Sequence, residues 1–227
     1  MKIIIFFLFF SLLFPQKSID IKKKSDSIVI DGTINELEWG NSIIAENFVE
    51  INPGNNSPSK TRTKVQVSYD TKNLYVAFHS FDNPELIRAN QSKRDDIEDD
   101  DRVIISIDPR NDGVVEHYFS SNTFGNQLDG QKFGNSDRNN WDAIWYSSGR
   151  IVENGYEVEI AIPFSTFRSV NTDNLHWRIN FSRFIPRKEG TRMDSWMPVD
   201  RDNTCSPCQF GHLRGMQDVD IQSPIEL

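Results

Sequence analysis

The sequence predicts an all-β fold, an antiparallel β-sandwich of the jelly-roll or immunoglobulin-like two-sheet type with short helical turns. Apolar and polar residues alternate with a period of two along segments such as 63–69 and 156–163. Turn residues separate these segments, and no segment keeps a helical period for more than about two turns. Two packed sheets, each with one buried and one solvated face, account for these observations.

The N-terminus predicts export of the chain. Met1 and Lys2 precede a mostly apolar run at residues 3–14, which Pro15 ends. A helix that spans a bilayer needs about 20 residues, so this shorter run indicates a secretory signal peptide at residues 1–16. An uncleaved N-terminal anchor is the alternative. Either way the folded part is expected outside the cytoplasm, as a periplasmic, outer-membrane-associated or secreted protein.

The predicted sandwich occupies residues 28–215, after a linker at residues 17–27. Asn35 is a plausible N-cap for a helical turn, and the Asp70 to Asn73 segment supplies the turn of a β-hairpin. Residues 216–227 are expected to be a tail with strand character at 219–221, or the truncated start of a further domain. The predicted elements are strands at 28–30, 63–69, 74–81, 103–107, 115–122, 127–133, 141–146, 156–163 and 175–185, and helical turns at 35–39 and 163–167.

An acidic run at residues 94–102 directly precedes the apolar strand at 103–107. Crowded carboxylates repel one another unless they share a cation, and Ca²⁺ accepts six to eight oxygen ligands in flexible geometry. We therefore predict a calcium-stabilised loop at the mouth of a sheet. The alternative is a solvated loop without a cation. The predicted ligands are Asp96, Asp99, Asp100 and Asp101.

Charge and cysteine content exclude some classes of function. The net charge of −8 and the pI near 5.0 argue against a nucleic-acid partner, because such proteins need a basic face to neutralise phosphates. Cys205 and Cys208 are the only cysteines, and in an oxidising compartment they predict a small loop-closing disulfide. A redox pair, or a zinc site with His212, is the less favoured interpretation.

The order of these signals resembles the family 9 carbohydrate-binding-module-like domain of extracytoplasmic bacterial proteins. The resemblance covers residues 28–215. Its more specific motifs, Arg-Asp-Asp, Trp-Asp-Ala-x-Trp and Ile-Asn-Phe-x-Arg, are similar to the N-terminal half of a family of unknown function that carries a C-terminal β-barrel. The carrying segments are 30–32 with 38–39, 69–70 with 74–76, 94–96, 99–101 before 103–108, 141–145, 156–163, 177–187 and 196–198.

The resemblance implies a β-sandwich, sugar binding and often a structural calcium. Sugar-binding modules lay aromatic rings against pyranose faces, so Trp141 and Trp145 are the predicted stacking residues if residues 142–144 are extended. Arg94 and Arg102 are predicted to orient sugar hydroxyls. The alternatives are that Trp145 is core and Trp141 a rim residue, and that the arginines pair with acidic residues of the chain.

The sequence thus predicts an exported, non-catalytic module that binds a polysaccharide or oligosaccharide in glycan breakdown or uptake. One alternative is a structural or interaction module of an outer-membrane β-barrel protein, where the barrel is the partner. Another is part of a glycoside hydrolase, which needs two carboxylates at a suitable separation. No catalytic residue is predicted, because the acidic loop offers no apolar pocket to raise a carboxyl pKa and no Gly-x-Ser-x-Gly motif is present.

Overall fold

The computed structural model describes residues 16–134, 136–138, 140–167 and 175–221. Strands dominate these ranges, and the helical elements are α1 (Glu36–Trp39) and three 3₁₀ turns, Pro84–Leu86, Phe164–Phe167 and Pro207–Gln209. None of the helices in the described ranges has the length and apolar character that crossing a bilayer requires. The strands are β1 (Ser18–Asp20), β2 (Ile43–Ala45), β3 (Val49–Asn52), β4 (Ser57–Pro58), β5 (Thr63–Tyr69), β6 (Asn73–Phe81), β7 (Arg102–Asp108), β8 (Val115–Asn122), β9 (Gln127–Phe133), β10 (Ser136–Arg138), β11 (Tyr146–Val152), β12 (Gly155–Pro163), β13 (Trp177–Arg187), β14 (Gly190–Ser195) and β15 (Gly211–Arg214).

The described strands form two sheets, one of ten strands and one of five. The large sheet has the order β10-β9-β8-β7-β13-β14-β3-β4, and β15 joins β13 at one end and pairs in parallel with β1. The small sheet has the order β11-β12-β6-β5-β2. All its pairs, and all pairs of the large sheet except β1 with β15, are antiparallel. The predicted two-sheet antiparallel sandwich is therefore confirmed.

The core lies between the two sheets and follows the alternation along each strand. On β7, Val103, Ile105 and Ile107 are fully buried in the main cluster. Ile105 lies opposite Phe181 on β13 and Phe119 on β8, and both aromatic side chains belong to the same cluster. Because side chains alternate between the faces of a strand, the residues between these core positions must face outward. These alternate residues therefore form the outer face of the large sheet.

The segment at residues 28–39 covers the outer face of the small sheet. Trp39 is only 1% exposed and packs in a second cluster with Tyr75 and Ala161. The side chain of Asn35 accepts a hydrogen bond from the backbone N–H of Glu38 at 3.0 Å, which confirms it as a cap. The predicted strand at residues 28–30 is wrong, because these residues pair with no strand in the described structure and instead pack across the sheet.

Two predicted boundaries also differ from the structure. The predicted linker at residues 17–27 contains β1, whose parallel pairing with β15 makes it part of the large sheet. Residues 219–221 are not a strand, although the backbone N–H of Asp220 donates to the carbonyl of Thr71 at 2.6 Å. The predicted signal peptide, apart from residue 16, and the tail beyond residue 221 lie outside the described residues.

Candidate functional site

Outward-facing residues of four neighbouring strands form a strip on the large sheet. Arg102 lies opposite Phe184, which lies opposite Met193, and Ile104 lies opposite both Ser120 and Ser182. We call this set the outer strip. Its members are Arg102 and Ile104 on β7, Tyr118 and Ser120 on β8, Ser182 and Phe184 on β13, and Met193 on β14.

The outer strip has partly exposed large side chains and a buried polar floor. Arg102, Ile104, Tyr118, Phe184 and Met193 are all partly exposed. Between them the short side chains of the neighbouring strands lie below the surface. These floor residues, each less than 8% exposed, are Ser106, Ser120, Asn180 and Ser182. A ligand on this surface would meet apolar faces and, beneath them, hydroxyl and amide groups.

Arg102 lies over the ring of Phe184, with its guanidinium carbon 3.8 Å from the ring centroid. Its Nη1 donates to the carbonyl oxygens of Ile97 at 3.2 Å and Glu98. Its Nε is buried and has no hydrogen-bond partner among the described residues. Burial lowers the pKa of the guanidinium, and the charge of Glu98 opposes that change. The outer strip therefore contains a guanidinium stacked on an aromatic ring. The Nε–H of this guanidinium has no acceptor among the described residues.

Two loops border the outer strip. The acidic loop, residues 94–101, adjoins Arg102 through the carbonyl contacts just described. The disulfide loop, residues 196–210, adjoins the other end of the floor. There Ser206 donates to Glu116 at 2.9 Å, and Glu116 in turn accepts from Ser106 at 2.7 Å. Each border is thus hydrogen-bonded to the strands that form the strip.

Cys205 and Cys208 form the expected disulfide. A Cβ atom added at Gly113 would lie 2.9 Å from the sulfur of Cys208, so this turn approaches the disulfide closely. Gly113 also has a φ of +74°, a backbone conformation that favours glycine. The carbonyl of Pro207 accepts from Arg178 Nη1 at 3.3 Å. The disulfide thus closes the loop against the β7–β8 turn beside the strip.

The predicted tryptophan platform is wrong. Trp145 is 3% exposed and packs edge-to-face on Phe119, so its indole has no face for a ligand. Trp141 is partly buried and contacts His117 and Phe119 with centroid distances of 5.0 and 5.9 Å. Residues 141–145 are not a strand, so the two side chains do not share a face. The alternative interpretation of Trp145 as core and Trp141 as rim fits the structure.

Arg94 binds within the chain instead of facing a ligand. It donates to Gln127 at 2.6 Å, to the carbonyl of Ala143 at 2.9 Å, and to Asp129. Asp129 is 3% exposed, and its other oxygen accepts the N–H of Ala143 at 2.7 Å. Burial raises the pKa of Asp129, whereas these contacts lower it. Arg94 therefore holds the 141–145 segment on β9, and of the two predicted orienting arginines only Arg102 belongs to the strip.

The structure does not bring the four predicted calcium ligands together. Asp96 and Asp99 are exposed. Asp100 accepts from the side chains of Asn90 at 2.7 Å and Asn122 at 2.9 Å, whereas Asp101 points to Arg187, which donates at 2.8 Å. No cluster of three or more histidine, cysteine or acidic residues suited to a metal occurs in the described ranges. Calcium binding itself stays a prediction.

A family model decides the relationship of this chain to known proteins. The model described as "Carbohydrate family 9 binding domain-like" matches residues 30–215. The chain belongs to this family. The match covers every described strand except β1, and both loops that border the outer strip. No curated protein matches the chain.

Solved structures with the same fold include family 9 modules. A family 9 module from Caldicellulosiruptor kristjanssonii in complex with cellotriose has a TM-score of 0.62 and 18% identity over 93% of this chain and 100% of that one. The same organism's module in complex with glucose gives 0.64 and 18% over 92% and 100%. A putative carbohydrate-binding protein from Bacteroides uniformis ATCC 8492 gives 0.69 and 16% over 88% and 99%. At these identities the likeness shows the fold.

In this family 9 domain, Trp141 packs against the partly buried ring of His117, whose titration gives a testable pH dependence. Burial lowers the pKa of His117 from 6.5 to about 4. Because the folded pKa lies below the unfolded value, stability is lost as the pH falls from 6.5 towards 4. We expect His117→Phe, which keeps a ring against Trp141, to reduce the loss between pH 7 and pH 5 by about 2 kcal/mol.

The measurement is urea unfolding of both proteins across that pH range, together with an NMR titration of the His117 ring. The variant also serves to assign the ring resonance. A His117 ring that titrates near 6.5, or two proteins whose stabilities change in parallel with pH, would contradict the prediction.

Proposed function

We propose that this chain is an exported, non-catalytic carbohydrate-binding module, and that the outer strip binds the sugar. Membership of the carbohydrate family 9 binding domain-like family supports carbohydrate as the ligand class. The chemistry of the strip supports the location, because sugars present apolar ring faces and hydroxyl groups together. A role in glycan breakdown or uptake follows from a module of this kind.

The observation that carries the location is the row Arg102, Phe184 and Met193 beside the buried serines. Phe184 and Met193 offer apolar surface for a pyranose ring. Arg102 is fixed on Phe184, so its N–H groups are oriented before a ligand arrives and little side-chain entropy is lost on binding. Tyr118, partly exposed on β8, adds a second aromatic ring at the other side of the strip.

Two features support an exported location. The apolar run at residues 3–14 has the length of a signal peptide. The disulfide between Cys205 and Cys208 is of the kind that persists in oxidising compartments. Periplasmic, outer-membrane-associated and secreted locations all meet that condition.

The ligands to test first are cello-oligosaccharides and glucose, since modules with the same fold were solved with cellotriose and with glucose. Isothermal titration with these sugars and affinity electrophoresis in a panel of polysaccharides would measure binding. We expect Phe184→Ala and Arg102→Gln each to weaken the affinity about tenfold or more, because central aromatic and arginine contacts carry most binding energy.

A matched control is available at the edge of the same sheet. Arg138 lies over Phe133 at 4.3 Å, a second arginine–aromatic pair that is outside the strip. Arg138→Gln should leave the affinity unchanged, and Trp141→Ala should do the same with the fold intact by circular dichroism. Sugar binding that is lost with Trp141→Ala but kept with Phe184→Ala would move the site to the 141–145 segment. No retention on any glycan would favour the interaction module of a barrel protein.

A further inference from the structure

Three lysines surround one open pocket of about 590 Å³ at the end of the sandwich where β5 turns into β6. They are Lys23 and Lys24, from the segment after β1, and Lys72, from the β5–β6 turn. The chain as a whole carries a net charge of −8, so this cluster of three lysines has the opposite sign to the net charge of the protein. From this pocket we infer a second binding site, for an oxyanion such as a sulfate or phosphate group.

Backbone contacts hold the two lysine-bearing segments together. Lys23 forms a parallel bridge with Tyr69, and the N–H of Lys24 donates to the carbonyl of Tyr69 at 2.7 Å. The carbonyl of Lys72 accepts from the N–H of Phe164 at 2.8 Å. The backbone of all three lysines is therefore held in place, and the pocket is formed before a ligand binds.

The ammonium groups are largely unneutralised. Lys23 lies 3.7 Å from Asp218, whose side chain is 87% exposed, and such solvent-screened pairs are weak. Lys24 and Lys72 form no ion pair within the part of the chain that the structure describes. Three like charges around one cavity repel one another, and an anion that bridges them removes that repulsion.

The one carboxylate in the pocket wall is already occupied. One oxygen of Asp70 accepts the backbone N–H groups of Lys72 and Asn73, both at 2.7 Å. The other accepts the hydroxyl of Tyr75 at 2.7 Å. Asp70 thus closes the hairpin turn, and both of its oxygens already accept hydrogen bonds from the chain.

The pocket also supplies hydroxyl groups from Ser25, Ser27 and Thr71. Ser25 already donates its single hydroxyl proton to Asp26 at 3.1 Å, so the hydroxyl donors left for a ligand are those of Ser27 and Thr71. Ammonium and hydroxyl donors together match the several acceptor oxygens of a sulfate or phosphate. A volume of about 590 Å³ exceeds that of an inorganic anion and admits one that is carried on a sugar ring. The ligand class is therefore a sulfated or phosphorylated carbohydrate, or the free oxyanion.

The test is an NMR titration of the mature protein with sodium sulfate, sodium phosphate and a sulfated oligosaccharide, each against sodium chloride at matched ionic strength. We expect saturable shifts of the amide resonances of residues 23–27 and 70–73. Lys24→Gln combined with Lys72→Gln should weaken binding about tenfold or more. The control is Lys93→Gln combined with Lys188→Gln, which changes the net charge equally at exposed lysines elsewhere and should leave binding unchanged.

The three titrations also distinguish an anion carried on a glycan from a free anion. Tighter binding of the sulfated oligosaccharide than of inorganic sulfate supports a glycan-borne group, and equal binding supports the free anion. The inference is overturned if no anion gives saturable shifts at residues 23–27 and 70–73, or if both double variants bind equally. Because the outer strip is remote in sequence and uses other residues, loss of cello-oligosaccharide binding in strip variants would not affect this result.

Discussion

Replacement of Glu159 by alanine should lower the free energy of unfolding by about 3 kcal/mol or more. Glu159 is 0% exposed and accepts hydrogen bonds from the indole Nε1 of Trp39 at 2.7 Å and from the backbone N–H groups of Asp31 at 3.0 Å and Gly32 at 2.7 Å. Its loss leaves two buried donors, the indole N–H of Trp39 and the backbone N–H of Gly32, without an acceptor, and each unsatisfied buried donor costs about 1–3 kcal/mol.

The measurement is urea denaturation at pH 7 with tryptophan fluorescence and circular dichroism as probes. Glu153→Ala, at an exposed position in the β11–β12 turn, is the control and should change stability by less than about 0.5 kcal/mol. Glu159→Gln keeps one acceptor oxygen and should fall between the two. Equal stability of Glu159→Ala and Glu153→Ala would mean that the segment at residues 28–39 is held by apolar contact alone.

Glu159 also has a pH dependence of opposite sign to that of His117. Burial raises the pKa of Glu159, while the bonds from Trp39 and Gly32 lower it. Since the folded pKa lies above the unfolded value, the group's contribution to stability is greatest at acid pH and is lost as the pH rises through the folded pKa. The wild-type protein should therefore lose stability as the pH rises towards neutrality, and Glu159→Gln should remove that loss.

Period-two alternation predicted seven of the fifteen described strands, β5 to β9, β12 and β13, because it reports which face of a sheet each residue occupies. It gave the bounds of β8 and β9 as the structure has them. It could not supply the partners of the acidic residues. Asp100 binds Asn122 and Asp101 binds Arg187, which lie 22 and 86 residues away in the chain. Local crowding of carboxylates therefore suggested one shared cation, whereas the fold distributes them between separate hydrogen-bond networks.

The prediction of the ligand-binding residues was limited in the same way, because it used only local sequence. The prediction for Trp141 and Trp145 assumed an extended segment, and Trp145 instead enters the core. Phe184 was missed, although a signal for it exists in the sequence. On β13 the residues Trp177 and Phe181 occupy the inward parity, so an aromatic residue at position 184 falls on the outward parity. An aromatic residue at an outward-facing position of a strand is the sequence feature that would have indicated the outer strip.

A second buried network stands at the end of the sandwich near the acidic loop. Arg183 is 0% exposed and donates to Asp82 at 2.5 Å and to the carbonyl of Phe81 at 3.0 Å. Arg187 donates to both Asp82 and Asp101 at 2.8 Å. Asp101 is 0% exposed, and one of its oxygens has no hydrogen-bond partner in the described residues. Two arginines and two aspartates thus link β13 to the end of β6 and the start of β7.

Removal of one partner of a buried ion pair is costly because the other charge stays desolvated. Arg183→Met should therefore lower the free energy of unfolding by about 3–5 kcal/mol at pH 7. Arg110→Met is the control: Arg110 is 59% exposed and pairs with Asp112, and its loss should change stability by less than about 0.5 kcal/mol. Urea unfolding of the three proteins measures both effects.

The pH dependence of this loss separates an electrostatic cause from a packing cause. Burial already raises the pKa of Asp101, and the guanidinium groups of Arg187 and Arg183 oppose that rise. Without Arg183 the folded pKa of Asp101 moves further above the unfolded value, so protonation of Asp101 stabilises the folded variant as the pH falls. The stability difference between wild type and Arg183→Met should therefore shrink from pH 7 to pH 5. A difference that stays constant over this range would assign the loss to packing of the side chain, and the charge network would then contribute little to holding the two sheets together.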